Sequence, residues 1–236
     1  MRSFLVMAMF AASLSHAAWN GYTEDRNLEL DTQGISAFEV DAGAGSLEVR
    51  GVADLHSIHV KATINVPDQA SDRAREIIAS DLNLSLEKVR DRARLKAHFD
   101  DNSWGFGDSP TVDLEIRVPH GLALVVDDSS GSLQVIDVAS DVVIDDGSGS
   151  IKVERVKSVS IDDGSGSINV IDVQGDVSIE DGSGSISVQQ VGGSVIIDDG
   201  SGGIDVHDVE HDLIIVDDGS GSLDATDVRG RIEQDS

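Results

Sequence analysis

The chain has 236 residues and no cysteine, with 17 lysines and arginines against 44 aspartates and glutamates, for a formal net charge of −27. That length suits one sizeable domain or two small ones, and the lack of thiols excludes disulfides and an acylated lipoprotein anchor. So negative a field makes nucleic acid and anionic lipid poor partners and favours cations or basic surfaces.

The first residues, MRSFLVMAMFAASLSHAAWN, carry one charge at Arg2, an apolar run from Phe4 to Leu14, and small residues at Ser15 and Ala17. This is the three-part pattern of a secretory signal, with an apolar run too short for a permanent membrane span. Cleavage is expected after Ala17, which puts the mature chain in a bacterial periplasm or outside the cell with no membrane anchor. Residues 18–126 are then expected to form a first degenerate coil plus an α+β cap, and residues 127–236 a strict repeat array.

The degenerate coil is FEVDAGAGSLEVRGV, in which Phe38 and Val40 precede Asp41, and Leu47, Val49 and Val52 follow the glycines. Ile58, Val60, Ala62 and Ile64 alternate as a strand. DQASDRAREIIASDL predicts a helix with Asp68 or Ser71 as N-cap. LNLSLEKVRDRARLKAHF reads as a hairpin and TVDLEIRV as a further strand. Between them SWGFG places Trp104 and Phe106 on a loop, expected to fold back over the end of the array. Most of the basic residues fall in this cap, among them Lys61, Arg73, Arg75, Lys88, Arg90, Arg92, Arg94 and Lys96. They read as a solvated face, or as a docking patch for an acidic partner or for the acidic coils of another copy.

From residue 127 an acid pair recurs: Asp127-Asp128, Asp145-Asp146, Asp162-Asp163, Glu180-Asp181, Asp198-Asp199 and Asp217-Asp218, spaced by 18, 17, 18, 18 and 19 residues. A period this regular is the signature of stacked repeats. Each copy aligns apolar residues into columns. Ahead of the acids run Leu124, Val142, Val159, Val177, Val195, Ile214 and then Val126, Ile144, Ile161, Ile179, Ile197, Val216; three similar columns follow the glycines. The spacing of two and the β-branched residues define strands, and two short strands per period leave no room for a helix. The predicted fold is an all-β, two-sheet parallel β-solenoid of about 18-residue coils with a small α+β N-terminal cap. The Asp-Gly-Ser-Gly turn keeps its length, so the length changes are assigned to the opposite linker.

Alternation turns the second acid of each pair inward: Asp128, Asp146, Asp163, Asp181, Asp199 and Asp218. A short carboxylate there is suited to accept hydrogen bonds from the backbone N–H groups of the turn, while glycine supplies positive φ. The competing reading is calcium bound by these six aspartates, because like charges stacked about 5 Å apart repel by about 3 kcal/mol per pair at an effective dielectric of 20. His207 and His211 fall on the variable turn, as solvated residues or as a transition-metal pair. Lys152, Arg155 and Lys157 are the basic cluster of the repeats, and the one that a lyase would use as base. No aromatic residue follows Phe106 to form a sugar platform, and no nucleophile motif or nucleotide loop occurs.

The signal segment, the cap with its inserted helix, and the serial DDGSGSI-x-V-x-x-V rungs resemble the "putative-adhesin" family of bacterial envelope proteins, a domain family of unknown function. The resemblance spans about residues 35 to 232 and implies a β-solenoid in the envelope, with no catalytic residues to carry over. The function expected is a non-enzymatic structural or adhesin-like binding module, contacting an envelope or extracellular protein or glycan. The alternatives are a calcium-stabilised adhesive rod and a carbohydrate-active solenoid enzyme. After Val228 the chain begins another rung without completing it, so self-association through the solenoid ends is a further expectation.

Overall fold

The computed structural model describes residues 21–67, 69–100 and 109–234. The signal segment, Asp68, Trp104 and Phe106 lie outside the described residues.

The repeat array is built from two-arm coils. β7 (Ala123–Ile136) runs through the glycine turn and supplies both arms of its coil. In the later coils the arms are separate strands: β8 (Asp141–Asp146) with β9 (Gly149–Val156), β10 (Ser158–Asp163) with β11 (Gly166–Val173), and β12 (Val177–Asp181) with β13 (Gly184–Val191). β14 (Val195–Asp199) with β15 (Gly202–Val209) and β16 (Leu213–Asp217) with β17 (Ser222–Val228) follow, and β18 (Ile232–Gln234) starts one more. All these pairings are parallel and join equivalent residues, for example Ile144 to Ile161 and Val153 to Val170. The protein is a two-sheet parallel β-solenoid.

The inward columns make its core. Ile144, Ile161 and Ile179 face Ile151, Ile168 and Ile186 across the interior, each 2 % exposed or less. Fully burying each such side chain stabilises the fold by about 1.5–3 kcal/mol, so the stacked columns supply the main driving force. Near each coil's second corner a residue takes the left-handed conformation, at Asp137, Arg155, Asp172, Gln190, Asp208 and Asp227. Aspartate tolerates that region; arginine and glutamine do so less readily.

The last coil departs from the expected columns. Leu213 and Ile215, both fully buried, fill the core positions rather than Ile214 and Val216. Val195 pairs with Leu213 and Ile197 with Ile215, then the register slips and Asp198 meets Asp217. Val216 is thus an extra residue inside the strand, 42 % exposed, so the nineteenth residue of that period lies in the arm and not in the linker. A bulge there is tolerated because β16 has only the short β18 on its outer side.

At the other end the chain order and the spatial order differ. β2 (Ala37–Val52) is the degenerate coil, pairing in parallel with β7 over both arms. On its other side lie β5 (Arg92–Phe99) and β6 (Thr111–Pro119), also parallel, one on each arm. β5 and β6 therefore furnish the two arms of another coil, inserted outside β2 although they follow it in sequence. The antiparallel strands come next: β4 (Leu82–Val89) on β5, and β3 (Ser57–Pro67) on β6 with β1 (Gly21–Asp31) at the edge. The alternating Leu28 and Leu30 of β1 are half-buried, a pattern too weak to identify that strand from sequence.

Helix α1 (Ser71–Asp81) lies against β1 and β4 and buries Ala74, Ile77 and Ile78. Those positions form one apolar stripe, which covers the core between the two sheets. Its N-cap is Ala70, with no side-chain cap hydrogen bond, and Ser71 is the first helical residue rather than the cap.

Candidate functional site

The glycine turn is fixed by stacking. In the four coils from β8 to β15 the second glycine has positive φ, from +142° at Gly149 to +157° at Gly202, whereas in the last coil it is the first glycine, Gly219, at +48°. A Cβ on Gly166 would lie 1.6 Å from the carbonyl oxygen of Gly149 in the coil before it. Only glycine lets the rungs approach so closely, which is why this turn never changes length.

The inward acids sit beside that turn. Asp128, Asp146, Asp163, Asp181 and Asp199 are each 3 % exposed or less, as alternation predicts; Asp218, displaced by the bulge, is half-buried. In four of them Oδ1 accepts the backbone N–H two residues on: Ser148 to Asp146 at 3.3 Å, Ser165 to Asp163 at 3.2 Å, and Ser183 to Asp181 and Ser201 to Asp199 at 3.0 Å. That is the Asx-type turn expected from the sequence.

The second oxygen is the anomaly. Oδ2 of Asp128, Asp146, Asp163, Asp181 and Asp199 is sealed from solvent and has no hydrogen-bond partner. Burial, reinforced by Asp146 in the next coil, pushes the Asp128 carboxyl up to about 7. Burial likewise lifts Asp181 to about 6 and raises Asp146, Asp163 and Asp199. Each column member has an acid neighbour and no basic one. Among the described residues, no three His, Asp or Glu side chains converge as a metal cluster.

The first acids face outward as a registered ladder, Asp127–Asp145–Asp162–Glu180–Asp198. The basic cluster of the repeats is consumed by ion pairs: Lys152 with Glu154 at 2.9 Å, Arg155 with Asp137 at 2.6 Å, and Lys157 with Asp141 at 2.9 Å. His207 lies on β15 beside Asp205, while His211 is on the following linker, and the two do not form one site.

Most basic side chains of the cap are also paired, Arg92 and Arg94 with Glu39 and Lys61 with Glu115. Arg117 differs. On the outer face it lies opposite His59 of β3 on one side and Arg50 of β2 on the other. Like charges directly opposite disfavour one another. Arg50 is neutralised by Glu48 and Asp137, but Arg117 is exposed and has no ion pair among the described residues. It borders an open groove of about 770 Å³ with Leu28, Leu55 and Lys61. Alternation in SIHVKA, DLEIRV and LEVRGV turns His59, Arg117 and Arg50 outward, but their adjacency depends on the out-of-order insertion of β6, which no local pattern reveals.

The class defined here is a β-solenoid closed at one end by a helix and antiparallel strands. No protein-family model matches the chain, and no curated protein does. Among solved structures it is similar to a "putative cell adhesion protein" from Clostridium sporogenes, with 12 % identity and a TM-score of 0.42 over 91 % of this chain and 100 % of that one. It is also similar to a "putative lipid binding protein" from Parabacteroides distasonis, with 13 % identity and a TM-score of 0.43 over 92 % and 95 %. A third is a "putative adhesin" from Bacteroides fragilis, with 10 % identity and a TM-score of 0.37 over 90 % and 97 %. No residue role is carried over from them.

Proposed function

We propose that the chain is an exported, non-enzymatic binding and structural module of the bacterial envelope, acting through the outer faces of its solenoid. The observation that carries this reading is replication. Each recurring acid pair has near-equivalent copies one rung away, its second member in the turn column and its first in the outward ladder, so no one of these pairs is set apart for acid–base work. The paired Lys152, Arg155 and Lys157 offer no free base. The groove beside Arg117 is not replicated, and it is where a carboxylate or other acidic group of an envelope glycan or protein would dock. Beyond about 8 Å the repulsion from the rest of the chain is screened at physiological salt, so a local contact of this kind is compatible with the net charge.

The test is retention of residues 18–236 on isolated cell envelopes, with Arg117→Glu and a control charge reversal, Lys152→Glu, on the same sheet. Loss of a charged hydrogen bond predicts roughly tenfold weaker retention for Arg117→Glu, with the control within about twofold of wild type. Release of reducing ends from acidic polysaccharides, or equal losses in both variants, contradicts the proposal.

A further inference from the structure

The deepest anomaly in the molecule is the column of inward aspartates. Its members are more completely buried than any other charged residue type among the described residues, and each leaves one oxygen without a partner. An ionised carboxylate in that position carries a desolvation penalty that the turn N–H on Oδ1 offsets only in part, since the charge loses its hydration without gaining a counter-ion. The groups facing the column are Ala42 of β2 at one end, Asp218 at the other, and the outward acids Asp127, Asp145, Asp162, Glu180, Asp198 and Asp217 alongside. Across the turn come only the serines and glycines of the following segment. Beyond the Ala42 end the outward Asp41 continues the ladder and has Lys96 at 4.0 Å and His98 at 3.9 Å, so the basic groups nearest that end lie against Asp41.

We propose that this column takes up protons: as the medium acidifies from neutral, Asp128, Asp146, Asp163, Asp181 and Asp199 become neutral carboxylic acids well before exposed carboxylates do, and the solenoid hardens. A neutral carboxyl keeps the Oδ1 acceptor that closes the turn and removes the repulsion between rungs, so protonation preserves the function of the residue. The upward shifts of Asp128 to about 7 and Asp181 to about 6 have the same cause. The ordinary value for aspartate, about 3.9, describes the unfolded chain. The folded state therefore binds these protons more tightly. Stability rises as pH falls from about 7 towards 4, and the full penalty of the charged column is present above about pH 7. This inference is independent of the docking reading at Arg117 and survives its failure.

Falling pH also relieves surface repulsion, so the experiment needs charge-matched variants. Thermal unfolding from pH 8 to pH 5 is followed for wild type, for Asp128→Asn with Asp181→Asn, and for Asp145→Asn with Glu180→Gln. Wild type should gain roughly 5–10 °C in its midpoint over that range. The inward pair should unfold no lower than wild type at pH 8 and should lose much of that gain; the outward pair should keep it. An inward pair that unfolds lower at pH 8 with an unchanged pH slope overturns the proposal. Should the inward pair fail to fold, the infrared band of protonated carboxyl in wild type at pH 6 decides. Its presence supports the column, and its absence overturns it.

Discussion

At the scale of single residues, two neighbours in each rung divide the work by alternation alone. In Asp145-Asp146 the first carboxylate faces solvent and joins the outward ladder, while the second is 2 % exposed and closes the turn. That division was legible in the sequence, because strand periodicity has no third option. What alternation could not convey is the sealing of Oδ2, which depends on how closely rungs approach at the turn. The same approach governs Gly166, whose missing Cβ leaves room for the Gly149 carbonyl and whose φ is +148°. Gly166→Ala combines a backbone clash with left-handed strain, and denaturant unfolding should register a loss of about 3 kcal/mol or more. A variant within about 0.5 kcal/mol of wild type would show that the rungs are not held at this spacing. The left-handed corners at Arg155 and Gln190 were not legible, since neither residue type advertises positive φ.

At the scale of elements, the repeat coils were readable and the cap only in part. Period and column identity fix β8 to β15, and the helix and the β4–β5 hairpin carry their own local signals. The place of the strands that flank β2 on its outer side is different. β5 and β6 are ordinary alternating strands in sequence, and their parallel stacking outside β2 is a long-range choice made by packing. Val216 illustrates the limit of aligning by motif. Matching acid pairs put it in the core, whereas the buried Leu213 and Ile215 follow an 18-residue step from Val195 and Ile197. Deleting Val216 gives LIIDDGSG, which matches VIIDDGSG of the preceding coil. The deletion should carry Asp218 into the column position, remove an exposed valine and raise the melting midpoint by a few degrees at pH 5, where the added column carboxyl is protonated. A midpoint lowered by as much would mean that the bulge is a needed ending for the array.

At the scale of the whole molecule, the charge is distributed by surface. Acids line the outward ladder of the repeats, while basic side chains gather at the closed end and are mostly paired there. The two ends of the stack also differ. Ala74, Ile77 and Ile78 of α1 cover one, whereas Leu223, Ala225 and Val228 at the other are only partly buried and Ile232 is 52 % exposed. As proposed above, the acid column would be an internal fastening of the solenoid, held by turn N–H groups and protons without a metal ion. The direct test is the melting midpoint of residues 18–236 at pH 7 in chelator and again in millimolar calcium. A midpoint that agrees within about 1 °C under both conditions is the predicted result. A large rise with calcium, abolished by Asp146→Asn, would place a cation between the rungs and contradict the account, because a bound ion stabilises in proportion to the logarithm of its concentration over its Kd.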